Sequence, residues 1–448
     1  MRQHSSPGPR SRQWFDSAHA SLCVLGGYLR GRAFFRPLED GVHLQQKVHR
    51  YTPAQKLEMV FVSLLAGAKA VYHTGTTLRT DPALQAAFGL PGCAEQSVLA
   101  DTLDAATDAD VAALRQVVEA SFLQYSPARR HDFARAVLVL DLDLSPLPAS
   151  KRAEGSERGY MGRCRSKTGR KLVRVRVAAT QETVWDEVVP GNRVETLAVV
   201  QQAVAAAERL LGLTGDDAAA QARRARTEWR LDSGWGSAEI INWLLARGYQ
   251  VTGKFKSTSR VRKLVAPITT WEPTASPGRE VAPVPVPVAL ARPCAQYAVR
   301  TPSKDRPGGY YQAVLFSSRT DLAMQAVVDH YDGRAGMEAD LKGDKRGLGL
   351  GVLRKHKLAA QQMVVLLGQW AHNVLLWARS WLAQGAPRLG RCGIVRLVQE
   401  VWAVPGRLKL TEDRLTRVRL NPAHPQARAV YRGLAPLLTP GQTLGFLG

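Results

Sequence analysis

Three short stretches of this chain carry residues whose types and spacing could support phosphoryl transfer. Leu-Asp-Leu-Asp-Leu-Ser at 140–145 and Arg-Leu-Asp-Ser-Gly-Trp-Gly at 230–236 each put an Asp at the end of an apolar, β-like run. The third runs from Tyr331 to Lys345 and holds Tyr331, Arg334, Glu338 and Lys345 at offsets 0, 3, 7 and 14. At about 3.6 residues per turn, these offsets keep all four on one face of a helix. A face bearing a phenol, a guanidinium, a carboxylate and an ammonium is odd as packing. It suits a DNA phosphate held beside a metal: Arg forks to the phosphate, Lys gives a point charge and Tyr adds a hydroxyl donor. The plain alternative is a solvated face with an Arg334–Glu338 i,i+4 pair.

The two Asp motifs add to this face. Carboxylates at strand ends lie at a sheet edge, where α/β proteins build their sites. Clustered carboxylates repel one another and need a cation. Oxygen ligands with no His or Cys select Mg²⁺ or Mn²⁺. Two such ions can activate an attacking oxygen and stabilise a leaving one at phosphorus. Asp143, Asp232 and Glu338 are therefore the candidate catalytic and metal-holding residues, and Tyr331, Arg334 and Lys345 the candidate DNA contacts. Asp141 is the alternative to Asp143, because both fall on one strand face. Taken singly, Asp143 could instead cap beside Ser145, and Asp232 could be a turn residue before Ser233-Gly234.

An α/β core must position these groups. From Ala136 the apolar period changes to two, with Leu138, Leu140 and Leu142 opposite Val137, Val139, Asp141 and Asp143, which reads as a buried strand. Strands are expected over Lys171–Ala179 and Thr183–Val189, a helix over Val194–Leu213, and a strand over Trp229–Asp232. A helix over Ala238–Arg247 and a strand over Tyr249–Phe255 complete the alternation. Residues 256–310 break this rhythm; Val281 to Val288 alternates with Pro and makes a poor central strand. Tyr310–Ser317 is strand-like, Asp321–Asp344 helical, and Lys355–Leu382 a long helix. Upstream, residues 1–12 are expected to be frayed and 13 to about 130 helical, with Thr52-Pro53 as a helix start. A hairpin around Thr411-Glu412-Asp413 is expected in the tail. The segments are 1–130, helical and a possible DNA-binding module; 131–255, first part of the core; 256–310, insertion; 311–384, the catalytic and long helices; and 385–448, tail.

With 448 residues, 45% of them hydrophobic, the chain can bury a sizeable core. Its 61 Lys and Arg against 38 Asp and Glu give a net charge of +23, which favours a polyanionic partner. Lys151 to Arg176 holds ten Lys and Arg against Glu154 and Glu157, and reads as a DNA-tracking edge or a solvated hairpin. Lys342, Lys345, Arg346, Arg354, Lys355 and Lys357 extend a basic surface beside Glu338. Trp235 and Trp271 could stack on an unpaired base or belong to the core. The five Cys are scattered, with no C-x-x-C, which suggests a reducing compartment and no structural zinc. Residues 358–378 lack Asp, Glu, Lys and Arg, but Gln361, Gln362, Gln369, His372 and Asn373 make a membrane span unfavourable. Gly347-Leu-Gly-Leu-Gly351 lacks the Lys-Ser/Thr of a P-loop.

Together these motifs resemble the DDE transposases of bacterial insertion sequences, in the group related to insertion sequence four. That group is marked by Tyr-x2-Arg-x3-Glu-x6-Lys, which Tyr331, Arg334, Glu338 and Lys345 match without a gap. Asp143-Leu144-Ser145 is similar to its first Asp motif, Asp-x-Ser/Thr, so the resemblance favours Asp143 over Asp141 through Ser145; Arg230 to Trp235 is similar to its second. The resemblance covers about 136–382. It implies a ribonuclease-H-like core with a mixed sheet, and a β-rich insertion before the last catalytic helix. It implies two Mg²⁺ or Mn²⁺ ions on Asp143, Asp232 and Glu338. The implied activity is cut-and-paste transposition: cleavage of the element's terminal inverted repeats, then strand transfer into target DNA. A hairpin intermediate and a homodimer on paired ends are implied as well. The partners would be double-stranded DNA and no membrane, in a cytoplasmic, nucleoid-associated protein. Two alternatives stay open: a nuclease of this fold without strand transfer, and a catalytically inactive DNA-binding remnant.

Overall fold

The computed structural model describes residues 13–46, 48–159, 161, 167–192, 195–256, 258–305, 308–411 and 414–448. Residues 1–12, Val194, Glu412, Asp413 and the Arg163 and Arg165 of the basic run lie outside these. The chain divides into two compact units. One holds 1–126, 148–156 and 340–448; the other holds 127–147 and 157–339.

The second unit is α/β, and its mixed sheet has ten strands among the described residues. Thr227–Leu231 lies at the centre, parallel to Leu138–Pro148 on one side and to Gln250–Lys254 on the other. Thr168–Val177 follows Leu138–Pro148 outward and pairs antiparallel with Thr183–Pro190. In chain order these five run third, second, first, fourth, fifth across the sheet. Parallel neighbours need crossover connections, supplied here by Leu197–Leu211, Ala218–Ala225 and Ala238–Ala246. Thr196 and Ser237 open the first and last of these, each accepting a backbone N–H three residues on.

Beyond Gln250–Lys254 the sheet continues antiparallel through Tyr310–Ser317, Ala295–Pro302, Glu280–Pro283 and the two-residue Glu272–Pro273. The irregular 256–310 segment thus begins with a helix, Thr258–Val265, and then extends the same sheet. Its Pro-rich strand pairs for only four residues, because Pro cannot supply a ladder N–H.

The sequence expectations need two corrections in this unit. The helix expected over 321–344 is two helices, Met324–Asp332 and Ala335–Gly347, linked by Gly333 and Arg334. Much of the basic run does not face solvent. Arg170, Arg174 and Arg176 are buried, Arg174 forks to Asp186 at 2.8 and 2.7 Å, and Lys171 lies 3.5 Å from Glu195. Thr168–Val177 is buried at nearly every consecutive position, so both of its faces are covered.

In the first unit, Pro53–Leu65, Asp108–Tyr125 and Leu358–Gly385 are the longer helices around an aromatic cluster. Phe61 and Trp370 sit 4.4 Å apart there. Thr52 forms a capping box with Gln55, as its position before Pro53 suggests. Leu358–Gly385 is a buried core helix; Gln361 donates to the Leu353 carbonyl, and His372 lies 2.7 Å from Asp344. No helix among the described residues is long and apolar enough to cross a membrane. The tail hairpin, Gly406–Thr411 with Arg414–Leu420, is joined by Thr443–Phe446 and by Gln13–Ser17. The region after residue 12 therefore opens with a strand and not a helix.

Candidate active site

Register brings the first groups together. Leu142 pairs with Leu231, and Leu231 with Gly253, in the parallel ladders. Asp143, Asp232 and Lys254 are the next residues on three adjacent strands. Neighbouring strands lie about 4.8 Å apart, so three charged side chains leave the sheet at one edge. Leu142 and Leu231 are fully buried, which anchors both aspartates from below.

After Asp232 the chain makes a tight turn, Ser233–Trp235, and Asp232 stands at its start without capping it. A Cβ on Gly236 would fall 1.7 Å from the Lys254 carbonyl oxygen, so only glycine lets this turn press against the neighbouring strand. The turn thereby keeps Asp232 beside the end of Gln250–Lys254. Asp143 spends one carboxylate oxygen on its neighbour: Leu144 N donates to Oδ1 at 2.8 Å.

The helix pair delivers the remaining groups. Arg334, in the two-residue link, reaches all three carboxylates. Its Nη1 lies 3.1 Å from Asp143 Oδ2, and its Nη2 lies 3.4 Å from Asp232 Oδ1 and 3.6 Å from Glu338 Oε1. Tyr331 OH donates to Asp232 Oδ1 at 3.5 Å. Lys254 Nζ stands 5.0 Å from the centre of the Tyr331 ring, a cation over a π face. The carboxylates are graded in exposure: Asp143 is 10% exposed, Asp232 38% and Glu338 54%.

Burial pushes the Asp143 carboxyl up to about 6; Arg334 opposes the shift, and Asp232 and Glu338 add to it. Burial also pushes the Tyr331 hydroxyl up. For Arg334, burial alone would favour the neutral form, but Tyr331, Asp143 and Asp232 raise its pKa further still. Lys254 is lowered, chiefly by burial; Asp232 opposes this, and Arg334 and Arg279 reinforce it.

Asp141 has a different setting. It is fully buried and grips two arginines: Arg230 Nε and Nη2 at 2.7 and 3.0 Å, and Arg176 Nη1 at 3.1 Å. Its charge is consumed inside the sheet. Lys345 lies in the last turn of Ala335–Gly347, in the part of that helix that belongs to the first unit. Trp235 is fully buried, so it is core packing. Trp271 carries the Arg300 guanidinium 4.3 Å over its ring. Lys254 escaped the sequence reading because no motif marks it; its closeness to Asp232 comes from strand pairing alone.

Three carboxylates and the Tyr331 hydroxyl surround Arg334, and carboxylate oxygens are the ligands that suit hard divalent ions. The guanidinium itself now lies among them. No group of three or more His, Cys, Asp or Glu among the described residues is spaced to hold a metal ion.

Among solved structures, the chain is similar to piggyBac transposase in a synaptic complex with hairpin DNA. The TM-score is 0.49 and the identity 11%, over 87% of this chain and 83% of that one. No protein-family model matches the sequence, and no curated protein does.

Proposed function

We propose that this chain is a DDE-type transposase that cuts the ends of its own element and joins them to target DNA. The observation that carries this reading is the convergence of Asp143, Asp232 and Glu338 on one guanidinium, Arg334. Three acids from distant points of a chain meet at one sheet edge only when the fold gathers them. A cluster of like charges costs stability, and a site offsets that cost by function. The third-second-first-fourth-fifth strand order supports a ribonuclease-H-like core, with Asp143 on its first strand and Asp232 after its fourth.

In this reading Asp143, Asp232 and Glu338, which are not spaced for an ion as they stand around Arg334, would hold two Mg²⁺ or Mn²⁺ ions. Such ions, when bound, supply activation of the attacking oxygen and stabilisation of the leaving one. Arg334 and Lys254 bind phosphate oxygens beside the scissile bond, and Tyr331 donates a hydroxyl to the same backbone. Arg334 can fork to a phosphate, which orients it, whereas Lys254 supplies a point charge. Asp141, already paired with Arg230 and Arg176, serves the frame of the sheet. The bacterial insertion-sequence group, the hairpin intermediate, the role of Lys345 and the homodimer on paired ends are part of the same proposal.

The test is cleavage of a labelled duplex carrying the inverted repeats that flank the coding region, in Mg²⁺ or Mn²⁺. Wild type should nick at the repeat boundary and join the freed 3′ end to plasmid. Glu338→Ala should bind the duplex and leave it intact. Nicking without joining would favour a nuclease without strand transfer. Binding without nicking by the wild type would favour a DNA-binding remnant.

A further inference from the structure

The helix break before Glu338 has a cause in the second Asp motif. Glu228 and Arg230 alternate along one strand and Asp232 follows just past its end, on the same side. Each meets the end of Met324–Asp332. Glu228 Oε1 lies 2.9 Å from His330 Nε2, Arg230 Nη1 donates to the His330 carbonyl at 2.7 Å, and Asp232 accepts from Tyr331 OH. In a continuing helix the His330 carbonyl would receive the Arg334 N–H. Here Arg230 occupies it, and Arg334 N donates instead to the Tyr331 carbonyl at 3.0 Å. Met337 N then bonds the Arg334 carbonyl at 2.9 Å, also three residues back. The backbone is thus tightened from Tyr331 to Met337, the stretch that carries Arg334 into contact with Asp143. Gly333 makes room for this: a Cβ there would fall 2.8 Å from Arg230 Nη1.

The geometry points to Arg230 as a positioning residue, which sets the helix end from which Arg334 reaches the carboxylates. This rests on the proposed reaction only for its consequence in cleavage; the contact itself is structural. Arg230 has a second task, the fork to Asp141. Its three nitrogens therefore lock the first strand, the fourth strand and the helix end to one another. Lysine carries its donors on a single nitrogen and cannot span the Asp141 carboxylate and the His330 carbonyl as the planar guanidinium does.

Two variants separate positioning from mere stability. Arg230→Lys keeps a cation for Asp141 but forfeits the His330 carbonyl. Gly333→Ala keeps every charge and crowds the guanidinium off that carbonyl. Arg174→Lys is the control, loosening the buried fork to Asp186 in the same sheet. Amide hydrogen exchange over 330–338 should rise in the first two variants and stay unchanged in the control. On the labelled flanking duplex with Mn²⁺, the rate at saturating DNA should fall roughly tenfold to a hundredfold in the first two. Arg230→Lys added to Arg334→Ala should cost nothing further, since Arg230 acts through Arg334. Unchanged exchange in both variants, or rate losses that multiply with Arg334→Ala, would overturn the assignment. If the wild type never nicks DNA, the transposase reading falls, and the exchange data still decide the role of Arg230.

Discussion

Asp141 and Asp143 lie two residues apart on one strand, yet replacing them should have opposite effects on stability. Moving the Asp143 carboxyl from 3.8 to about 6 corresponds to about 3 kcal/mol. The sign follows from proton linkage. The folded protein holds this proton up to about pH 6, whereas the unfolded chain releases it near 3.8. The contribution to stability is therefore complete below pH 3.8 and lost as pH rises through about 6. Above that pH the ionised carboxylate is a burden. Asp143→Asn, measured by calorimetry in chelator, should raise the unfolding midpoint at pH 8 by up to about 3 kcal/mol equivalent, and change little at pH 4. For a unit of this size each kcal/mol is roughly 2–4 °C. Asp141→Ala should do the reverse. It removes the carboxylate shared by Arg230 and Arg176 in the interior, at a cost of about 3–5 kcal/mol. If Asp143→Asn lowers the midpoint at pH 8 as Asp141→Ala does, the division of one aspartate for the site and one for the frame is wrong.

Three further outcomes follow from the same geometry. Under the proposed metal assignment, Mn²⁺ affinity, read by titration calorimetry, should weaken as pH falls through about 6 and approach tenfold per pH unit, because metal and proton would compete for Asp143; an unchanged affinity at pH 5 would place the metal elsewhere. Lys254→Gln should weaken binding of the flanking duplex and reduce its salt slope by about 0.9, the signature of one lost phosphate contact; an identical slope would remove Lys254 from the DNA contacts. Gly236→Ala should destabilise the fold by at least about 1–3 kcal/mol, as a Cβ cannot share space with the Lys254 carbonyl; a wild-type midpoint would refute the close approach.

Some of this was decided locally and could be read from the chain. Alternation from Val137 onward gives a strand, because a period of two needs no distant partner to be recognised, although that strand runs past Asp143 to Pro148. Thr52 before Pro53 announces a helix start, since a cap is satisfied within four residues. The spacing of Tyr331, Arg334 and Glu338 keeps them on one side, whether the helix runs through or breaks. Other features depended on residues far away in sequence. Asp141 and Asp143 share a face, and what separates them is Arg176 and Arg230, which are 35 and 89 positions from Asp141. Lys254 joins the site through pairing of parallel strands, whose register no local pattern specifies. The helix breaks at Gly333 because a side chain 100 positions upstream takes the His330 carbonyl. The basic run looked like a surface because charge is a property of composition. Arg174 is inside because Asp186, on the antiparallel neighbour, meets it there. The sequence thus determines which residues can do chemistry and the periods of the elements that bear them. The tertiary structure alone decides which charges are spent on one another and which remain for a ligand, since that depends on partners brought close only by folding.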